Sequence, residues 1–121
     1  MTDRPLSDPY RPELLPAAVR RYLRAHQVDR DTDAAASTFT VDARVVDERR
    51  EHVGSGAIRD WLASAGAGFT YTITFVGQLS EGPGRCTVLA RLEGDFPGGV
   101  ADLRFRFRVE SDRIAELVIA P

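Results

Sequence analysis

Apolar residues recur with two different periods along the chain, and the change of period divides it. Leu15, Val19, Tyr22, Leu23 and His26 share one face of a helix that begins near Pro16, where proline suits the first turn. The polar stretch Val28 to Asp33 breaks that pattern. Asp31 can then cap a second, short helix through Ala34, Ala35, Ala36 and Phe39. Ala43 to Arg49, with its β-branched Val45 and Val46, reads as a strand, and Glu51 to Gly54 as the turn that follows it. Ser55 is an N-cap for a third helix. There Ile58, Trp61, Leu62 and Ala65 fall at i, i+3, i+4 and i+7, and Gly66 supplies the stop.

From Phe69 the period becomes two. Phe69, Tyr71, Ile73 and Phe75 alternate with threonines. Cys86, Val88, Ala90 and Leu92 form a second such row, and Leu103, Phe105, Phe107 and Val109 a third. Gly82-Pro83-Gly84, Pro97-Gly98-Gly99 and Glu110-Ser111-Asp112 are the turns between them, and Arg113 to Ala120 is a last strand. Matching apolar faces across the Pro97 hairpin places Leu92 opposite Phe105, Ala90 opposite Phe107, Glu93 opposite Arg104 and Arg91 opposite Arg106. Helices, a strand, a helix and then a four-strand meander make an α+β fold. A curved antiparallel sheet wraps around the N-terminal helix, with two further short helices and a concave side suited to a pocket. Residues 1–12, with three prolines, read as an extended N-terminal tail ahead of a single domain over residues 13–121.

Composition narrows the function classes. A chain of 121 residues is a one-domain length, and 43% hydrophobic with 28% charged residues is globular. Cys86 is the only cysteine, so no internal disulfide or cysteine-based metal cage is available. Two separated histidines, His26 and His52, lack metal-ligand spacing, and no metal is expected. All 16 basic residues are arginine, a bias of GC-rich bacterial genomes, yet the net charge is -2. Arg104, Arg106 and Arg108 interleave with Phe105 and Phe107, but alternate strand residues lie on opposite faces. The stripe is therefore a solvated or subunit-facing surface, and no nucleic-acid partner is expected. No apolar run is long enough to span a bilayer and no secretory h-region opens the chain, so a cytoplasmic protein without a membrane partner is expected. Neither a phosphate-binding glycine loop nor a G-x-S-x-G nucleophile elbow is present.

Val41 to Asp47, His52-Val53-Gly54 and Ala57 to Trp61, with Val19 to Leu23 and the terminal Phe105-Arg106-Phe107 to Ile114 block, resemble the nuclear transport factor 2-like superfamily. The SnoaL-like branch is the nearest in pattern, and the likeness spans roughly residues 14 to 120. It implies a cone-shaped, cystatin-like barrel that hosts isomerases, dehydratases, epoxide hydrolases, polyketide cyclases and non-catalytic binders. Ketosteroid isomerases of this superfamily place a carboxylate base at the end of the first strand, where this chain has Asp47. Their oxyanion tyrosine lies in the first helix after an arginine, where it has Tyr22 after Arg21. At the third position of that set, a protonated aspartic acid in the family, the chain reads Leu103. The adjacent Asp102 has the opposite parity.

The resemblance thus implies a cavity for a small apolar or polyketide-like molecule, acid–base chemistry without a cofactor, and a homodimer through the outer sheet face. Asp47 would be the base, Tyr22 the hydrogen-bond donor and His52 a second acid. Tyr22, Phe39, Asp47, Trp61, Tyr71, Phe105 and Phe107 would line the pocket. A buried carboxylate on the Ala43, Val45 face loses solvation, the condition under which a base works near neutrality. A non-catalytic binding or dimerisation module with a filled cavity is the alternative. A bond from Asp47 to Arg49 or Arg59 would mark it.

Overall fold

The computed structural model describes residues 7–121. A 3-10 turn at Pro12–Leu14 leads into α1 (Ala17–Tyr22), which continues as a π-helical turn (Leu23–Val28) and is followed by α2 (Thr32–Ala36). Next come β1 (Phe39–Asp47), β2 (Arg50–Val53), α3 (Ser55–Ser64), β3 (Tyr71–Ser80), β4 (Arg85–Gly94), β5 (Val100–Glu110) and β6 (Arg113–Ala120). The six strands form one sheet in the order β2-β1-β6-β5-β4-β3. Neighbours are antiparallel except β1 and β6, which run parallel. The α+β class and the four-strand meander β3 to β6 are as the periodicity predicts.

Several expected boundaries move. Phe39 belongs to β1, not to the second helix, because the helix has ended at Ala36 and the Thr38 carbonyl already accepts from the Ile114 N–H of β6 at 2.7 Å. Glu51 to Val53 is strand rather than turn. The real turn is Glu48-Arg49, both in the left-handed region (φ 51° and 65°), the conformation a two-residue hairpin requires. Gly54, not Ser55, is the N-cap of α3. Phe69 lies outside β3 and is exposed. The Pro97 hairpin keeps the expected parity but slides by four residues. Leu92 faces Ala101, Ala90 faces Leu103, and Arg91 faces Asp102. This register carries the ladder up to the loop, where Gly94 N–H bonds the Gly99 carbonyl at 2.9 Å, and it replaces an Arg–Arg clash by an ion pair.

The first six residues of the expected tail lie outside the described residues. The remainder runs beside β3. Asp8 and Gln78 exchange backbone bonds at 2.8 and 2.9 Å, Arg11 N–H donates to Gln78 Oε1 at 2.8 Å, and the Tyr10 and Phe75 rings are 5.1 Å apart. Gly77 permits this approach, because a Cβ there would collide with Ser7 and with the Asp8 carbonyl.

The core forms where the inner face of the sheet meets the helices. Ala43, Val45, Val88, Phe107 and Leu117 pack against Val19, Tyr22, Leu23, Ile58 and Leu62. On the outer face Arg104 and Arg106 are exposed while Phe105 and Phe107 are buried, as parity requires. Among the described residues no helix is long and apolar enough to cross a membrane. Leu117 is fully buried, so Leu117→Ala is expected to lower stability by about 2–5 kcal/mol. Val41→Ala, at a side chain 78% exposed, should change it by less than about 0.5 kcal/mol; urea denaturation of the two variants checks both.

Candidate functional site

The helices leave part of the inner sheet face uncovered, and there a cavity of about 390 Å³ opens. Leu92, Ala101, Leu103, Phe105 and Ile119 form its sheet wall. His26, Gln27, Trp61 and Ala65 come from the ends of the π-helical turn and of α3. Phe69, Tyr71, Phe96 and Pro97 line it from the loop before β3, from β3 itself and from the β4–β5 turn. Asp47, the last residue of β1, and Glu48 in the turn after it supply two carboxylates.

Asp47 lies on the inward face of β1 with Ala43 and Val45. Trp61 Nε1–H donates to its Oδ2 at 3.0 Å. Asp47 forms no ion pair among the described residues, and Arg59 is taken by Asp33 at 2.6 Å. The same indole stacks at a tilt 5.2 Å from the His26 ring. A single tryptophan thus fixes a carboxylate and abuts an imidazole in one wall.

The structure separates Tyr22 from the cavity. Its ring is fully buried, in edge contact with Phe39 (5.6 Å) and Phe107 (5.7 Å), and the three form the closed core end rather than the pocket lining. Periodicity gives the face of each residue but not its depth, so these three expected lining residues correct to core. Burial, first of all, pushes the Tyr22 phenol far above its ordinary range. Its hydroxyl shares a hydrogen bond with His26 Nδ1 at 2.9 Å. His52 is not brought to the cavity. It is half-buried on β2 opposite Val45, its ring 6.2 Å from Trp61.

His26 is the site residue that sequence reasoning missed, having been placed on the apolar face of the first helix and given no part in the site. The available signal was its i, i+4 spacing from Tyr22. The ring is 2% exposed, and burial, then the Arg30 guanidinium, hold it down to about 4, against an opposing influence of the Leu62 carbonyl. It is therefore neutral at physiological pH. Gln27 Nε2, a donor, also approaches Nδ1, at 3.1 Å, which assigns Nδ1 as acceptor and the proton to Nε2. Nε2 is shielded from solvent and makes no hydrogen bond of full geometry among the described residues, the Leu62 carbonyl being the backbone group that acts on the ring. The π-helical turn that carries His26 is a form often found at functional sites.

Arg30 braces this wall from outside, donating to the Ala65 carbonyl at 2.8 Å, to Tyr71 Oη at 3.1 Å and to the His26 carbonyl at 3.4 Å. The third element of the isomerase set is absent: Leu103 lines the cavity, and Asp102 pairs with Arg91 on the outer face at 2.8 and 3.2 Å. A larger hollow of about 640 Å³ lies toward the other end of β4, lined by residues such as Arg11, Gln78, Arg85 and Cys86. It is more polar, and burial pushes the Cys86 thiol up to about 11, so it holds no reactive thiolate. Among the described residues no three His, Cys, Asp or Glu side chains are grouped to hold a metal ion.

No family model and no curated protein matches the chain. Solved structures do. A Sinorhizobium meliloti protein provisionally described as a polyketide cyclase is 33% identical, with a TM-score of 0.83 over 92% of this chain and 100% of its own. A Mycobacterium tuberculosis protein in complex with estradiol-17β-hemisuccinate is 17% identical, with a TM-score of 0.69 over 86% of this chain and 90% of its own. A ketosteroid isomerase from Mycobacterium sp. is 18% identical, with a TM-score of 0.68 over 87% of this chain and 90% of its own. The last two share the fold.

The depressed His26 value has a consequence for stability. The unfolded chain takes up the proton near the ordinary 6.5, while the folded chain resists it until about 4. The contribution is complete above the unfolded value and is lost as pH falls through this interval, by up to about 3 kcal/mol. Urea midpoints measured from pH 7 to pH 4 should fall less steeply for His26→Gln than for the parent.

Proposed function

The chain belongs to the nuclear transport factor 2-like superfamily, on its SnoaL-like side, and from that premise we propose that its cavity binds a small, largely apolar molecule and moves a proton on it. The observation that carries this reading is the environment of Asp47. Its carboxylate borders an open apolar cavity and is held by a neutral indole donor rather than by any arginine among the described residues. One carboxylate oxygen takes the indole proton, and no side chain among the described residues engages the other, which is left for a substrate proton. The cavity is not filled by side chains and Asp47 is bonded to neither Arg49 nor Arg59, so both marks of the non-catalytic module are missing.

The reaction class is proton transfer beside a carbonyl, as in isomerisation, cyclisation or dehydration. Asp47 removes the proton. The neutral His26 ring in the same wall is assigned as the donor to the oxygen on which negative charge develops, which requires Nε2, shielded in the unliganded protein, to be uncovered as the ligand seats. Tyr22 acts through His26 as a positioning residue: its hydroxyl keeps the proton on Nε2. Trp61 and Phe105 exclude water and so strengthen these interactions. His52, outside the cavity, has no step in this scheme. The ligand is of the size and character of a cyclic ketone or polyketide fragment, and the protein acts in the cytoplasm.

The test is exchange of α-protons of enolisable cyclic ketones in heavy water, followed by NMR, on ketones first selected by quenching of Trp61. Asp47→Asn is expected to slow exchange by roughly 100-fold or more while affinity changes only a few-fold. Exchange that survives the substitution would remove Asp47 as the base.

A homodimer through the outer sheet face fits this reading, since that face exposes Val76 and Val100 beside its arginines. Sedimentation at micromolar concentration should give twice the 13.3 kDa chain mass; a monomer would refute the pairing.

A further inference from the structure

We infer that the ligand of this cavity carries a positive charge: an apolar molecule with a protonated amine. The inference deepens the reading above and rests on the cavity being the ligand site. Every ionised group among the lining residues is a carboxylate, Asp47 or Glu48. None of the arginines among the described residues lines this cavity. His26 lines it too, but is neutral at physiological pH and adds no charge to the wall.

Five aromatic rings complete the wall: Trp61, Phe69, Tyr71, Phe96 and Phe105. Aromatic faces attract a cation, the more so where water is thinned. Phe69 and Phe96 meet edge to face at 6.1 Å, one from each loop bordering the cavity. Glu48, exposed in the β1–β2 turn, is free to meet an ammonium while Asp47 stays with Trp61.

The neighbouring cations are turned to other work. Arg30 spends its guanidinium on three oxygens of the outer wall and borders an adjoining groove that shares Gln27, Phe69 and Tyr71 with the cavity. Arg49 and Arg50 follow Glu48 in the chain, but neither lines the cavity or forms an ion pair with Glu48 or Asp47. An anionic ligand would therefore meet two like charges in the lining itself, with Arg30, behind Tyr71 and His26, as the neighbouring cation.

Three probes of one shape separate the possibilities: adamantylmethylamine, adamantylmethanol and adamantanecarboxylate, titrated at neutral pH with Trp61 fluorescence as the signal. The amine is expected to bind roughly tenfold tighter than the alcohol, and the carboxylate weakest. In the Asp47→Asn, Glu48→Gln double variant that spread should collapse while affinity for the alcohol stays within a few-fold, which also shows that the variant is folded. An alcohol or carboxylate that binds as tightly as the amine would overturn the charge inference and leave the cavity reading standing. A spread that persists in the double variant would overturn the assignment to these carboxylates. No binding of any probe would overturn the charge inference and count against the cavity reading as well.

Discussion

The helical layer is shorter than the sheet it has to cover, and most of the remaining architecture is a response to that mismatch. The twelve residues of α1 and its π-helical continuation span about 18 Å, while the eleven residues of β5 span about 36 Å. Helix and sheet can bury their apolar faces against one another over only part of that length. Where they do, Tyr22, Phe39, Phe107 and Leu117 close a core. Beyond the last helical turn the same inner face continues without a cover, and the α3 end, the Phe69 loop and the Phe96 turn only partly roof it. Core and cavity are thus two stretches of one surface, separated by where the helix runs out. His26 sits at that boundary, with Nδ1 tied back into the core and Nε2 left over.

Much of this was legible in the residues, and the failures have physical causes. Strict alternation from Tyr71 onward marked which side of each strand faces in, because the side-chain period of a strand is fixed. It could not mark how far along a strand a residue stands. Phe105 therefore proves to be cavity wall and Phe107 core, although both had been placed in the pocket. Parity likewise allows any even slip of a hairpin, and the four-residue slide at Pro97 was decided by ladder bonds reaching Gly94. β2 was invisible because its turn is built from Glu48 and Arg49, which do not announce a left-handed backbone as Asn or Gly would. The π-helical turn was beyond reach too: over six residues, an extra residue per turn does not disturb a 3.6-residue pattern enough to be seen.

Charge is sorted by surface rather than spent on stability. The ion pairs Arg21–Asp112, Arg59–Asp33 and Arg91–Asp102 join exposed side chains, where such pairs are each worth about 0–1 kcal/mol. Their larger effect is on location. A guanidinium matched on the outside is not available inside, and Asp47 is left to an indole.

The sheet also has two ends, and the β3 edge shows how one of them is kept from becoming a liability. An edge strand offers unpaired N–H and C=O groups to any extended peptide, including a strand of another copy. Here the chain's own residues 8–11 occupy the edge at Gln78, and the irregular step between Phe75 and Gly77 breaks the ladder just beside it. The strap contributes few buried side chains, and what it does instead is occupy, at Gln78, backbone groups that an edge strand otherwise offers to a neighbour.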